Sequence, residues 1–170
     1  MFCQIVKLFF FMTFFFVHSQ LIASEDLISQ KMGGKVVQRS AELSADRSAS
    51  NLIDGDNHTT WNSGTDIFPI VIMFSMPKNK RFVGLGLNNR TEDDSSTWAK
   101  KVKVGTANPF PHMGEWTELI DVELSDKGGL IFFNVGVNRG RYFRIEISSA
   151  QGSDPGAVGL GSFHVYDKLP

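Results

Sequence analysis

The stretch PIVIMFSMPKNKRFVGLGL, residues 69–87, decides the fold class of this chain. Its first part, residues 69–75, is continuously apolar, which is typical of a strand buried on both faces. In residues 81–87, larger apolar side chains alternate with Gly84 and Gly86, so glycines lighten one face of a second strand. The polar residues between these two runs are typical of a turn. The stretch therefore predicts two strands joined by a turn.

Similar strand-like runs occupy the rest of the chain. Lys101 and Lys103 alternate with Val102 and Val104, which is the pattern of a half-buried strand. No window of helix length shows a sustained 3.6-residue period with helix caps. Many short strands without intervening helices predict an all-β sandwich or barrel. The other runs are KVVQR (35–39), WTELIDVEL (116–124), LIFFNV (130–135), YFRIEIS (142–148) and SFHVYD (162–167).

The N-terminus has the pattern of an export signal. Lys7 precedes the apolar run LFFFMTFFFV (8–17), and the more polar HSQLIA follows this run. A charged start, a short apolar core and a small final residue predict a cleaved signal peptide over residues 1–23. A retained anchor is the alternative, but a spanning helix needs about 20 apolar residues. The sequence thus predicts a protein that is secreted, periplasmic or on the cell surface.

Composition and motif content narrow the function classes. The chain has 17 Lys plus Arg, 18 Asp plus Glu and a formal net charge of −1, with no strongly basic block. Because phosphate binding needs clustered cations, nucleic acid is not an expected partner. The sequence has no Gly-x-Ser-x-Gly element and no histidines with metal-ligand spacing, and its single cysteine, Cys3, lies in the signal peptide. These features argue against an enzyme. After the signal peptide, we expect an N-terminal segment over 24–39 and one domain over 40–170.

Four segments follow one another in the order found in a known family. They are NLIDGDNHTTW (51–61), PIVIMFSMPKNKRFVGLGL (69–87), GEWTEL (114–119) and GRYFRIEISSA (140–150). Over about residues 40–167, the sequence resembles the discoidin family, also called the coagulation-factor type C domain. Family-32 carbohydrate-binding modules are close relatives. The resemblance implies an eight-stranded antiparallel jelly-roll β-sandwich of the galactose-binding type, whose loops bind ligands at one end.

An acidic loop in the first of these segments is a candidate metal site. Carboxylate, hydroxyl and carbonyl oxygens are the ligands that calcium prefers. The resemblance implies a structural cation held by Asp54, Thr59 and the carbonyls of Asn51 and Asp56. The glutamate that completes the family's cage aligns with Ser162, so one carboxylate is missing and calcium would bind weakly. The alternative is an Asx-turn in which Asp54 bonds its own loop amides without metal.

Two strand ends carry a candidate ligand site. Asn88, Asn89 and Arg90 end one strand, and Trp98 begins the next. In sugar-binding relatives, this pair of strand ends carries polar and aromatic contacts. Arginine and amide groups suit vicinal hydroxyls, and an aromatic ring stacks on the apolar face of a sugar. We expect Asn62 to reach the same end of the sandwich.

Each of these residues also has a structural interpretation. Arg90 could pair with Asp93 or Asp94, in a loop where we expect the carboxylates to stay solvated. Trp98 could pack on the edge of the core. We interpret Trp61 as a core residue and His164 as a satisfied histidine on a strand.

Three binding functions follow from the sequence. The first is a non-catalytic module that recognises a glycan or glycoprotein, and the second is a protein-recognition or adhesion module. Membrane-lipid binding ranks third. The apolar residues Ile67, Phe68, Phe110 and Met113 could insert into lipid, but Asp66 and the other loop carboxylates would repel anionic headgroups.

Overall fold

The computed structural model describes residues 24–110 and 115–170. The predicted signal peptide and Met113 lie outside these residues. The described chain is mostly antiparallel β-strand, and its helical segments are short 3₁₀ turns at Gln30–Met32, Ala45–Arg47, Ala49–Ile53 and Ser95–Thr97. The eight described strands are β1 (Lys35–Arg39), β2 (Trp61–Asn62), β3 (Ile70–Asn88), β4 (Ala99–Ala107), β5 (Thr117–Glu123), β6 (Leu130–Ala150), β7 (Gly159–Leu160) and β8 (Ser162–Tyr166). None of the helices in the described ranges is long and apolar enough to cross a membrane.

Strands β3 and β6 are long and pass through both layers of the sandwich. The first half of β3 pairs with β1 and with the second half of β6, which also pairs with β4. The second half of β3 pairs with β8 and with the first half of β6. The pairing of β3 with β6 shifts register between Ser75 and Lys80, where the sequence predicted a turn. The predicted two strands are therefore one bent strand with a β-bulge.

Aromatic side chains fill the space between the two layers. The ring of Phe163 on β8 lies 5.4 Å from that of Phe74 on β3 and 5.9 Å from that of Phe143 on β6. Trp61 is fully buried in the same core, as predicted. The prediction for residues 69–75 was only half right: their inward side chains are buried, but Val71 on the outer face is half-buried. That face has no second layer over it, so it keeps partial contact with solvent.

The N-terminal segment 24–39 is part of the same packed unit. Leu27 and Ile28 are buried in the core. β1 forms an edge of the layer made by β1, the first half of β3, the second half of β6, β4 and β5, which we call the first sheet. The carboxylate of Asp26 accepts a hydrogen bond from Val165 N on β8 at 3.0 Å. Residues that precede the predicted domain therefore contribute contacts to both layers of the sandwich.

Candidate functional site

Several strand ends meet at one end of the sandwich, which we call the loop end. Asn88 at the end of β3 lies opposite Leu130 and Ser162, the first residues of β6 and β8. Ala99 at the start of β4 lies opposite Ala150 at the end of β6. Because antiparallel strands alternate in direction, the loops after β3 and β6 and the loop before β8 meet here.

Arg90 and Trp98 lie side by side at the loop end, on either side of Gly128. A Cβ atom placed on Gly128 would lie 2.5 Å from Cζ3 of Trp98 and 3.0 Å from Cβ of Arg90. Gly128 also has a φ of +67°, which favours glycine. Trp98 is half-buried and Arg90 is exposed. In the described part of the chain, the Arg90 guanidinium has no hydrogen-bond or ion-pair partner, so it does not pair with Asp93 or Asp94.

The backbone around Asn88 is fixed by short hydrogen bonds. The side-chain oxygen of Asn88 accepts from Arg90 N at 3.0 Å, and its backbone carbonyl accepts from Gly161 N at 2.7 Å. Asn88 keeps partial exposure beside Arg90. The structure thus brings Asn88, Arg90 and Trp98 together, as the sequence predicted.

Asn89 is a structural residue, which corrects its prediction as a ligand contact. Its side chain is fully buried, and Nδ2 donates to the carbonyls of Ser125 at 2.8 Å and Ala99 at 3.3 Å. These bonds tie the loop before β6 to the start of β4. Asn89 directly follows β3 and continues the alternation of its side chains, so it points inward where Asn88 does not.

Asn62 also serves the structure of the loop end rather than contacting solvent. It is 5% exposed, donates to Asp93 Oδ2 at 3.0 Å and accepts from Gly64 N at 2.8 Å. A ligand could reach it only by displacing these partners. The prediction of Asn62 as a direct contact is therefore not supported by this geometry.

Asp93 is the centre of a network that the sequence did not reveal. Arg47 lies 3.5 Å from Asp93 and 3.6 Å from Glu92, and its other terminal nitrogen donates to Thr60 Oγ1 at 2.6 Å. The Trp98 indole N–H donates to the backbone carbonyl of Asp93 at 3.2 Å. Asp93 is thus held in place, contrary to the expectation of a solvated carboxylate, whereas Glu92 and Asp94 are exposed as expected.

Asp94 has a separate role at the start of the Ser95–Thr97 turn. Its carboxylate accepts a hydrogen bond from Ser96 N at 2.8 Å. This bond and one from the Ser96 side chain hold the pKa of Asp94 below its usual value. Asp94 therefore caps the turn that leads into Trp98.

In the candidate metal loop, protein donors already bond the carboxylate of Asp54. Its two oxygens accept from Asp56 N at 2.8 Å and from Thr59 Oγ1 at 2.7 Å. Asn51 Nδ2 donates to the carbonyls of Thr60 and Asp46. The bond from Asp56 N to Asp54 closes an Asx-turn. Within residues 24–110 and 115–170, no three His, Cys, Asp or Glu residues gather in a way that could hold a metal ion.

Ser162, the remaining predicted ligand, belongs to another network. Its hydroxyl lies 2.9 Å from Nε2 of His164, whose Nδ1 lies 2.8 Å from Asp26 Oδ2. His164 is thus a satisfied histidine on a strand, as predicted. The ring of Tyr166 stacks on His164, and burial together with the charge of Asp26 raises the pKa of Tyr166 to about 12. These contacts hold the N-terminal segment against β8.

Of the apolar residues considered for lipid insertion, the three that the structure describes, Ile67, Phe68 and Phe110, do not form one surface. Ile67 is 79% exposed at the loop end, while Phe68 packs against the core. Phe110 contacts Trp116 and Tyr142 away from the loop end. They therefore do not form a single apolar patch for a lipid surface.

Comparison with known proteins identifies the family. The model of the F5/8 type C domain matches residues 36–159. Most of the chain lies within this match, and the chain belongs to the F5/8 type C, or discoidin, family. A comparison with curated protein sequences finds no match.

Solved structures with the same fold include several sugar-binding modules. The family 32 carbohydrate-binding module of Clostridium perfringens NanJ, solved with galactose, is similar with a TM-score of 0.68 at 16% identity, covering 83% of this chain and 98% of that one. A chitosan-binding module of a Paenibacillus sp. IK-5 chitosanase/glucanase has a TM-score of 0.69 at 20% identity, covering 84% and 98%. The C. perfringens module CpGH89CBM32-5, solved with GalNAc-β-1,3-galactose, has a TM-score of 0.68 at 11% identity, covering 84% and 99%. These similarities show the galactose-binding-like fold.

Proposed function

We propose that this chain is a non-catalytic module that binds a glycan at its loop end through Arg90, Trp98 and Asn88. The observation that carries the proposal is the Arg90 guanidinium, which is exposed and unpaired in the described chain while the polar side chains of Asn62 and Asp93 nearby are hydrogen-bonded. An unpaired guanidinium presents several donors in one plane, which suits vicinal hydroxyls. The half-buried Trp98 ring beside it provides a surface on which a sugar ring can stack.

The network around Asp93 favours binding because the site is ordered before the ligand arrives. The Trp98 indole is anchored on the backbone of Asp93, whose carboxylate is held by Arg47 and Asn62. A ligand therefore does not have to order this loop, and the entropic cost of binding is lower. The sugar-binding modules that share this fold recognise galactose, GalNAc-β-1,3-galactose and chitosan, which supports a glycan or glycoprotein as the partner.

A catalytic function is not part of the proposal, although Ser162, His164 and Asp26 have the spacing of a catalytic triad. Ser162 is 7% exposed, and the neighbouring Gly161 N–H is bonded to the carbonyl of Asn88. Acyl transfer needs free donors where the oxyanion develops. These hydrogen bonds are better explained as a structural link between the N-terminal segment and β8.

A structural calcium ion at Asp54 is a second, separable part of the proposal. Asp54, Thr59 and the carbonyls of Asn51 and Asp56 supply the oxygen chemistry that calcium prefers, and the ion would hold the loop without taking part in chemistry. Because Asp54 already accepts two protein hydrogen bonds and Ser162 bonds to His164, we expect weak binding. A calcium-dependent rise in the melting temperature, abolished in Asp54→Asn, would support this part. A melting temperature that neither calcium nor chelator changes would contradict it.

Export is also part of the proposal, on the basis of residues 1–23. Expression with the natural N-terminus in a secreting host, followed by mass determination, tests it. We expect a mature chain that begins near residue 24.

Protein recognition is the second candidate function. Ile67 is 79% exposed and Leu43 is 56% exposed. Leu43 contacts Gly64 in the same loop as Ile67. Two exposed apolar side chains close to the loop end suit a protein partner better than a lipid surface, because Asp66 lies beside Ile67.

A glycan array that includes galactose, GalNAc-β-1,3-galactose and chitosan oligosaccharides tests the main proposal. The full chain is compared with Arg90→Ala and Trp98→Ala, and with Arg139→Ala as a matched control. Arg139 is also exposed but lies beside Arg81 at the bend of β3 and β6. We expect Arg90→Ala to weaken binding about tenfold, because it removes charge-assisted hydrogen bonds. If the folded protein bound no glycan on the array, or if Arg90→Ala and Arg139→Ala bound equally well, the proposal would be contradicted.

A further inference from the structure

A second concave surface lies on the outer face of the first sheet, away from the loop end. It encloses about 190 Å³, which is smaller than the roughly 300–1,000 Å³ of pockets for drug-sized ligands. We call it the sheet groove. The residues that line it are Lys103, Val104, Gly105, Trp116, Glu118, Arg144 and Glu146.

The absence of a side chain at Gly105 produces the hollow. In β4 the outward positions carry Lys101 and Lys103, and Gly105 takes the next outward position. The register places Arg144 on β6 and Glu118 on β5 on either side of Gly105. A Cβ at this position would lie 3.3 Å from the Trp116 Cβ, so even a small side chain would begin to fill the space.

Trp116 forms one wall of the sheet groove and belongs to an aromatic cluster. Phe110 packs edge-on against Trp116, with ring centroids 6.0 Å apart, and against Tyr142, with centroids 5.1 Å apart. The half-buried Trp116 is therefore supported from behind by another ring.

The polar walls carry two cationic and two anionic side chains. Lys103 and Arg144 are cations, and Glu118 and Glu146 are carboxylates. This balance does not favour a phosphate or an anionic lipid, both of which need an excess of cations.

One donor in the groove has no partner. Arg144 bonds to Glu146 through its terminal nitrogen, but its Nε atom is buried and has no acceptor in the described chain. A network of surface ion pairs would explain the four charged side chains. It would explain neither the hollow at Gly105 nor the unpaired Nε atom.

We propose that the sheet groove is a second carbohydrate site, which takes one uncharged sugar ring. The ring stacks against Trp116, the Lys103 ammonium or a terminal nitrogen of Arg144 donates to one of its oxygens, and Glu118 or Glu146 accepts from a hydroxyl. The groove shares only the ligand class with the proposed function, because none of its residues belongs to the loop end. Two sites on one chain raise the avidity for a surface that displays many glycans.

The three tryptophans allow both sites to be observed in one experiment. Trp61 is buried and its indole donates to the carbonyl of Ala41, Trp98 marks the loop end, and Trp116 marks the sheet groove. The full chain, labelled with ¹⁵N, is titrated with galactose, GalNAc-β-1,3-galactose and a chitosan oligosaccharide while the indole N–H signals are followed. We expect a saturable shift of the Trp116 signal and no shift of the Trp61 signal.

Two variants and a control make the result specific to the groove. Gly105→Val fills the hollow and Arg144→Met removes the guanidinium donors, so each should weaken the Trp116 response about tenfold or more while the Trp98 response is retained. Lys101→Met, on the same face of β4 outside the groove, should leave both responses unchanged.

Each pattern of shifts has a defined meaning. A shift at Trp98 alone would overturn the sheet-groove proposal and leave the loop-end function intact. A shift at Trp116 that is lost in Gly105→Val, without a shift at Trp98, would support the groove and overturn the loop-end site. No shift at either indole with all three sugars, or a Trp116 shift that Gly105→Val and Arg144→Met leave unchanged, would overturn the groove proposal.

Discussion

The loop end and the sheet groove both place a half-buried tryptophan near an arginine, but their polar groups are held in different ways. At the loop end, Asp93 is bonded by Asn62 and Arg47, residues far away in the sequence. On the sheet face, Lys103 lies 2.9 Å from Asp121, which is a cross-strand neighbour exposed to solvent. We therefore expect the polar groups of the loop end to contribute to the stability of the fold, and those of the sheet groove to contribute little. Substitutions should reveal this difference in stability as well as in binding.

Substitution of the two glycines should produce the largest difference between the surfaces. Gly128→Ala combines a φ of +67° with an approach of 2.5 Å to the Trp98 ring, so we expect a loss of about 2–4 kcal/mol in unfolding free energy. Gly105 has no such φ, and Gly105→Ala should cost about 1 kcal/mol or less. Urea denaturation measures both changes.

Gly129→Ala separates the cost of a positive φ from the cost of the close approach to Trp98. Gly129 has a φ of +109°, but a Cβ there would meet nothing within 4 Å. We expect its cost to lie between those of Gly105→Ala and Gly128→Ala. Equal effects of Gly128→Ala and Gly105→Ala would contradict a tightly packed loop end.

Removing one carboxylate from each surface should give the next largest difference. Asp93→Ala leaves the buried Asn62 amide without its acceptor and removes an ion-pair partner of Arg47, so we expect a loss of about 1–3 kcal/mol. Glu118→Ala removes an exposed carboxylate 3.8 Å from Lys103 and should change stability little. Denaturation curves of the two variants, recorded side by side, would reject the distinction if they coincided.

The two tyrosines extend the comparison to alkaline pH. Because burial and Asp26 raise the pKa of Tyr166 to about 12, the folded chain binds more protons than the unfolded chain between about pH 10 and 12. This contribution to stability is complete below about pH 10 and is lost as the pH rises through 12. Absorbance of tyrosinate in Tyr142→Phe, where Tyr166 alone titrates, should show a midpoint near 12. Tyr166→Phe should remove this part of the pH dependence, and a midpoint near 10 would contradict the assignment.

The smallest effect is expected at Lys103. A hydrogen bond to Asp121 raises the pKa of Lys103, so the side chain stays charged at neutral pH. The pair is exposed, and screening by water and salt makes its contribution to stability small. Lys103→Met should melt at the same temperature as the control Lys101→Met. A melting temperature as low as that of Asp93→Ala would show that the sheet groove is also part of the stabilising structure.

The sequence predicted the fold class and most strands because alternation and turn residues are local signals. It placed the turn of residues 76–80 between two strands, where the structure has a bulge within β3. Turns and bulges use similar polar residues, and only the pairing with β6 distinguishes them. The short strands β2 and β7 pair with each other over two residues each, and too few residues are involved to give a pattern in the sequence.

At the candidate site, sequence and structure contribute different parts. The sequence by itself determined that Asn88, Arg90 and Trp98 lie at the ends of two consecutive strands, because strand boundaries follow from local composition. Only the tertiary structure decided that Asn89 faces inward, since the direction of alternation depends on what packs against each face. It also decided that Asp93 meets Arg47 and that Gly105 lies between Arg144 and Glu118, because these contacts join residues that are distant along the chain.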